Sequence, residues 1–237
     1  MSASLSLRRR HAEWMDEPDL DPRLHRDALR GLERINVVSA TVPAVWGPIA
    51  SLWRRGEAAR LSVLDVACGA GDVAIGVAKR ARRENVKLVV EGCDISPTAI
   101  AYATDRARRA DADVRFFEHD VVGTPLTRVY DVVVCSLFLH HLDEPGAVHL
   151  LRTLDAAAQS MVIVSDLDRS RLGLVLAWLG TRLLSRSPVV HVDSLRSVRA
   201  AFTRAEAAAL AAKAGLTSSR LPAHWPCRWR LVAEHTP

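Results

Sequence analysis

Apolar and polar positions change rhythm once along the chain. Before residue 60 they recur at helical spacing: Leu24, Ala28, Leu32, Ile35 and Val38 fall on one face. Asp21 and Pro22 precede them as an N-cap and a proline at the first helical position, where its missing N–H costs nothing. A second helical stretch is expected over about 42–58, with Pro48 tolerated only near a start or a kink. Residues 1–60 as a whole read as helical. After Gly56 short apolar runs take over, at 62–67, 87–93, 114–118, 130–136 and 161–165, separated by helical patterns at 72–83, 97–110 and 145–158. Strands alternating with helices make βαβ units, so the fold class is α/β with a mainly parallel sheet covered on both faces. The crossover at 119–129 has a weaker helical signal. There is no internal repeat.

Size and composition add little to this picture. A chain of 237 residues buries a full core in one domain and leaves about sixty residues for an appendage. The net charge of +5 is carried almost wholly by arginine, spread along helices, which reads as a solvated surface rather than a nucleic-acid patch. Cys68, Cys93, Cys135 and Cys227 show no CxxC and no metal-ligand spacing, so they read as reduced cysteines of a cytoplasmic protein, with no metal expected. The N-terminal ten residues contain no apolar core of a signal peptide. The most apolar run, 172–180, falls short of the roughly 20 residues a membrane span takes.

In such a sheet, ligands bind beyond the carboxyl ends of the strands, near the point where strand order reverses. After the first strand comes ACGAGD at 67–72, where Gly69 and Gly71 permit a tight turn and close approach of backbone N–H groups. Asp94 follows the second strand, at a distance suited to the two hydroxyls of a ribose. Asp120 follows the third, beside Glu118 and His119. The fourth ends in SLFLHH at 136–141. Residues 69–74 formally satisfy the dinucleotide fingerprint GxGxxA, a weak match when taken alone. Asp65 and Asp72 would repel a diphosphate at that helix start, whereas a methionine moiety offers an ammonium group to carboxylates and a carboxylate to backbone N–H groups.

Residues 61–166 resemble the core of the class I S-adenosylmethionine-dependent methyltransferases. VLDVACGAGD at 63–72 is similar to their first motif, EGCDISP at 91–97 to the second, 115–120 to the third and 130–142 to the fourth. The stretch 65–74 looks nearest to the ubiquinone/menaquinone-biosynthesis C-methyltransferases and their small-molecule relatives. The resemblance implies a doubly wound, seven-stranded Rossmann-like sheet, with residues 1–60 as a helical cap and 61–237 as the methyltransferase domain. It implies that Asp65, Ala67, Gly69 and Gly71 surround the methionine end of S-adenosylmethionine, with Cys68 and Asp72 also among the cofactor-binding residues. Asp94 would hold the ribose, Ile95 would pack on adenine, Asp120 and Val121 would meet the adenine edge, and Ser136 would lie at the fourth strand end. S-Adenosylhomocysteine would be the product. Ala67 departs from the commoner glycine.

The last third fits the same picture. Thr203, Glu206 and Gly215 bound a capped helix, and two antiparallel strands are expected at about 217–221 and 227–234. The insertion 166–201 is a candidate substrate lid, with membrane docking, a dimer face or an ordinary core-packed helix as the other readings. His140 and His141 are candidates for a base that takes a proton from the acceptor or orients it, or they simply shape the cofactor loop. His191, Arg199, Trp225 and Arg228 are weaker candidates for lining the acceptor pocket. The sequence lacks the Asn/Asp-Pro-Pro-aromatic motif of base-modifying enzymes and the paired glutamates of protein arginine methyltransferases, and no nucleic acid is expected. A small hydrophobic acceptor, such as a phenol, quinone or polyketide of secondary metabolism, is left. An NAD-dependent oxidoreductase and a non-catalytic cofactor-binding scaffold are the alternatives.

Overall fold

A computed structural model describes residues 5–17, 19–56 and 59–235. Seven strands form one sheet: β1 (Leu61–Val66), β2 (Leu88–Asp94), β3 (Val114–Glu118), β4 (Tyr130–Ser136), β5 (Ala158–Leu167), β6 (Ala223–His224) and β7 (Arg228–Glu234), in the order β3-β2-β1-β4-β5-β7-β6. The first five are parallel; β7 runs antiparallel to β5 and β6. The order reverses between β1 and β4, which places the ligand edge of the sheet there. The α/β reading is thus borne out, with a mixed, mainly parallel sheet.

Alternation along the strands sorts the core onto the two faces. Val133 and Cys135 of β4, with Val162 and Val164 of β5, pack against Leu150, Leu151 and Leu154 of α5 (Glu144–Ala157) and Leu210 of α8 (Arg204–Ala214). Val132 and Val134, with Met161 and Ile163, face Val45 and Ile49 of α2 (Thr41–Arg54) and Val73 and Val77 of α3 (Asp72–Arg83). Both faces of these central strands are buried, which is why they read as unbroken apolar runs. The other helices are α1 (Pro22–Val38), α4 (Pro97–Arg109), α6 (Arg171–Leu184) and α7 (Pro188–Ala200). Asp21 caps α1 by accepting from the Arg23 N–H, and Thr203 and Glu206 form the expected capping box of α8.

Three expectations need correction. Among the described residues of 5–20 the helical structure is a three-residue 3₁₀ turn at Trp14–Asp16, because their polar groups are spent on distant partners rather than on their own turns. Pro48 lies in the middle of α2. It cannot donate to the Ala44 carbonyl, and Arg230 of β7 donates there instead, so the helix runs on. Part of the expected end of that helix, 57–58, lies outside the described residues. Residues 217–221 are not a strand; a single bridge joins Arg220 to Val232, and β6 forms two residues later. The insertion 166–201 continues β5 and then forms α6 and α7, and α1, α2 and the N-terminal segment cap the sheet edge. Among the described residues no single helix is long and apolar enough to cross a membrane.

Candidate active site at the carboxyl edge of the sheet

The turn after β1 is built on left-handed backbone. Ala67, Gly69 and Gly71 have φ of 52°, 51° and 73°. A Cβ at Gly71 would stand 2.7 Å from Phe116 Cζ, so packing alone demands glycine there. A Cβ on Gly69 would meet nothing within 4 Å, so that glycine faces open space. Ala67 adopts the conformation that glycine takes more cheaply, which answers its departure from the commoner residue.

Asp94 closes the turn from β2. Its Oδ2 accepts from the Gly69 N–H at 2.8 Å and its Oδ1 from the Ser96 N–H at 2.9 Å. Each oxygen keeps a lone pair for a further donor. Ile95 beside it is 66% exposed, an apolar surface at the edge of a polar turn. Asp120 accepts from the Val122 and Gly123 N–H groups through Oδ1, with Oδ2 taking neither donor, and Val121 is buried. Ser136 Oγ is buried without a hydrogen-bond partner. Cys68 is partly buried at the turn, and burial raises its thiol well above the usual range.

The charges here differ from the sequence reading. Asp65 is buried and accepts only from the Ala74 N–H, at 3.1 Å; desolvation pushes its pKa up to about 8, so it is largely neutral at pH 7. Asp72 is bound by Arg106 at 2.5 Å and by Asn36 at 3.0 Å. Neither carboxyl presents a free negative charge, and repulsion of a diphosphate does not decide the ligand.

His140 and His141 follow β4, and their rings stand 4.4 Å apart. His140 is buried. Its Nδ1 lies 2.7 Å from Asp166 Oδ1 at the end of β5, and its backbone N–H donates to Asp166 Oδ2 at 3.0 Å. Burial alone would raise Asp166, but His140 and the backbone donors hold it below the usual carboxylate range. An ionised Asp166 puts the ring proton on Nδ1 and leaves Nε2 as the acceptor. Nε2 faces Glu13 Oε1 across 3.7 Å, beyond hydrogen-bond length. His141 bonds Asp16 through Nδ1 at 2.8 Å, with its Nε2 3.9 Å from Glu13. Burial opposes its charge, but Asp16, Glu13 and Asp166 outweigh burial and raise its pKa to about 9. His141 is therefore an imidazolium at pH 7 and a poor base. Glu13, His140 and His141 converge closely enough that they could hold a metal ion; protonation of His141 competes with ligation there.

Glu13 and Asp16 belong to a strap that sequence reasoning missed. Asp193 of α7 accepts from the backbone N–H groups of Trp14 and Met15, and Ser197 donates to Glu13 at 2.6 Å. Arg8 donates to the carbonyls of His140, Leu142 and Ala200, with its guanidinium over the Phe202 ring. Arg10 donates to the His141 carbonyl. The strap thus joins α7 to the two histidines. Its signal in the sequence is only a polar run lacking periodicity.

The weaker candidates scatter. His191 Nε2 bonds the Ser185 carbonyl, and the Arg199 carbonyl accepts from the Arg9 N–H. Arg228 is buried against Thr41, with desolvation lowering it to about 10. Trp225 is exposed. A cavity of about 730 Å³ lies at the opposite edge of the sheet among Arg60, Lys87 and Asp113, and holds none of the candidate residues.

Residues 63–160 match the family model described as a methyltransferase domain. No curated protein matches the chain in sequence. Among solved structures it is similar to magnesium protoporphyrin IX methyltransferase from Synechocystis PCC 6803 with bound SAH, at 20% identity and a TM-score of 0.59, covering 94% of this chain and 91% of that one. A SAM-dependent methyltransferase from Aquifex aeolicus shares 16% identity with a TM-score of 0.59, covering 92% of this chain and 100% of that one. The O-methyltransferase NcsB1 from neocarzinostatin biosynthesis, in complex with SAH and 1,4-dihydroxy-2-naphthoic acid, shares 19% identity with a TM-score of 0.64. This chain spans 61% of the length of NcsB1, and 94% of this chain is covered. At these identities the likeness is one of fold.

Proposed function

We propose that the protein transfers a methyl group from S-adenosylmethionine to a small, hydrophobic or aromatic acceptor. The observation that carries this reading is the paired Gly69–Asp94 turn in a methyltransferase domain, with open space at Gly69 and an exposed Ile95 beside it. These residues fit the cofactor. Asp94 has lone pairs for the ribose, Ile95 is a platform for adenine, and Asp120 Oδ2 with Val121 suits its edge. Asp65, Ala67, Cys68, Gly69, Gly71 and Asp72 would surround the methionine end, and Ser136 lacks a partner that a ligand would supply. When bound, S-adenosylmethionine supplies an electrophilic methyl group, and in-line placement provides much of the rate.

His140 is the residue we assign to the acceptor proton. Asp166 fixes its ring and tautomer, and Nε2 is the atom that accepts the proton as the acceptor becomes nucleophilic. Glu13 stands 3.7 Å from that atom and so bounds the place where the acceptor hydroxyl or acidic carbon would sit. The acceptors of the similar structures, a porphyrin and a naphthoic acid, support the class of acceptor. The resemblance of residues 65–74 to quinone-biosynthesis C-methyltransferases keeps quinones and phenols within that class.

Calorimetry with S-adenosylhomocysteine and with NAD tests the cofactor; tighter binding of NAD sinks the proposal. Methyl transfer from labelled S-adenosylmethionine to a panel of phenols, quinones and polyketides tests the reaction. A protein that binds S-adenosylhomocysteine but methylates none of the panel would be read as a scaffold.

A further inference from the structure

The outer face of α6 takes no part in the site described above. Only Gly173 and Thr181 of its fourteen residues are buried. Leu172, Val175, Leu179 and Leu183 fall on one helical stripe, and all are exposed, Leu183 by 81%. Trp178 adds an exposed aromatic ring beside them. A contiguous apolar stripe on a surface marks an interaction site.

The surrounding charge names the occupant. From residue 169 to 192 the sequence has four arginines and no aspartate or glutamate. At the C-terminal end of α6, Arg34, Arg182 and Arg186 line a surface cavity of about 500 Å³ together with Leu183, Leu184 and Ser185. Arg34 donates to the Leu184 carbonyl and Arg182 to that of Trp178, with the Arg182 guanidinium 4.5 Å above the Trp178 ring. The cavity lining contains no carboxylate, so three cations share it uncompensated. Apolar side chains beside clustered arginines suit a negatively charged bilayer surface. A second copy of the chain suits it badly, because residues 169–192 of that copy hold no carboxylate to meet the arginines.

We propose that α6 seats the methyltransferase on an anionic lipid surface, with the leucine stripe among the acyl chains and the Arg34–Arg182–Arg186 cavity on headgroup phosphates. This goes beyond the catalytic reading and is tested without turnover. The full chain is floated with vesicles of phosphatidylcholine and with vesicles containing equal parts phosphatidylcholine and phosphatidylglycerol. The expected result is at least about tenfold tighter binding to the anionic vesicles. The combined R34Q, R182Q and R186Q variant should lose about tenfold of that binding, and the single R186Q variant part of it. The combined L179S and L183S variant should lose binding to both vesicle types. These side chains are exposed, and thermal melts check that each variant remains folded. Equal binding to the two vesicle types, or no loss in the arginine variants, overturns the proposal. So does sedimentation equilibrium that shows a dimer broken by L179S and L183S. Tight binding of glycerol 3-phosphate that needs the same arginines, without vesicle binding, would make the cavity a small-anion site and also overturn it.

Discussion

Asp166 holds His140 twice, accepting from the ring at Nδ1 and from the backbone N–H of the same residue. The imidazole therefore has neither rotational nor tautomeric freedom, and only Nε2 is left to act. Replacing His140 with alanine is expected to lower kcat by about 10²–10⁴-fold while the affinity for S-adenosylhomocysteine changes little. Asp166→Asn should show a smaller loss and a shifted pH–rate profile. Retained turnover in His140→Ala would remove it from the acceptor chemistry.

His141 serves the strap. Its pKa of about 9 lies above the unfolded value near 6.5, so its contribution is fully present below about pH 6.5 and is lost as pH rises through about 9. The shift bounds that contribution at about 3 kcal/mol. Protection of the amides of residues 5–16, taken relative to their intrinsic base-catalysed exchange, should therefore fall between pH 7 and 10. In His141→Gln it should be low already at pH 7. Protection that stays constant across this window would separate His141 from the strap.

Asp65 carries the opposite cost. Its folded pKa of about 8 stands above the ordinary aspartate value of 3.8, so the native state holds a proton the unfolded chain has released, and stability falls as pH climbs between the two. The penalty is on the order of 4 kcal/mol at pH 7. Asp65→Asn should raise Tm at pH 7–8 and leave it nearly unchanged at pH 4. If the carboxylate receives the cofactor ammonium group, wild-type affinity for S-adenosylhomocysteine should rise from pH 6 to 8, and the variant should lose that dependence. Equal Tm in variant and parent at pH 8 would contradict the buried, protonated carboxyl.

The two glycines of the turn separate folding from binding. Gly71→Ala forces a Cβ to 2.7 Å from Phe116 and into left-handed backbone, and should cost about 2–4 kcal/mol in urea unfolding. Gly69→Ala meets open space and should cost only about 1–2 kcal/mol. Its methyl group nonetheless occupies the ligand's side of the turn, so calorimetry should show the greater loss of S-adenosylhomocysteine affinity in Gly69→Ala.

Much of the sheet was legible because its strands are buried on both sides and its helices begin with caps. The runs at 114–118 and 130–136 and the helix at 72–83 match β3, β4 and α3, since period and capping agree there. The turn with Gly69 and Asp94 was legible for the same reason: its residue types are demanded locally. Glu13, Asp16, Asp166 and Arg106 act across long separations, and no local pattern marks them. The same holds for Arg230 beneath Pro48, where a proline that reads as a helix breaker is excused by a side chain from the last strand. The charge inference at Asp65 and Asp72 failed because burial and a distant arginine set their ionisation.

The strap also sets a timetable. Glu13 and Ser197 are 184 residues apart, and Arg8 lies 192 residues from Ala200. At usual translation speeds the first of each pair waits roughly 10–40 s for its partner to be made. Arg8 and Glu13 are thus made long before they can be placed. Nascent chains halted before α7 can complete the sheet through β5, yet they lack the partners that hold the strap over His140 and His141; closure of the site waits for α7.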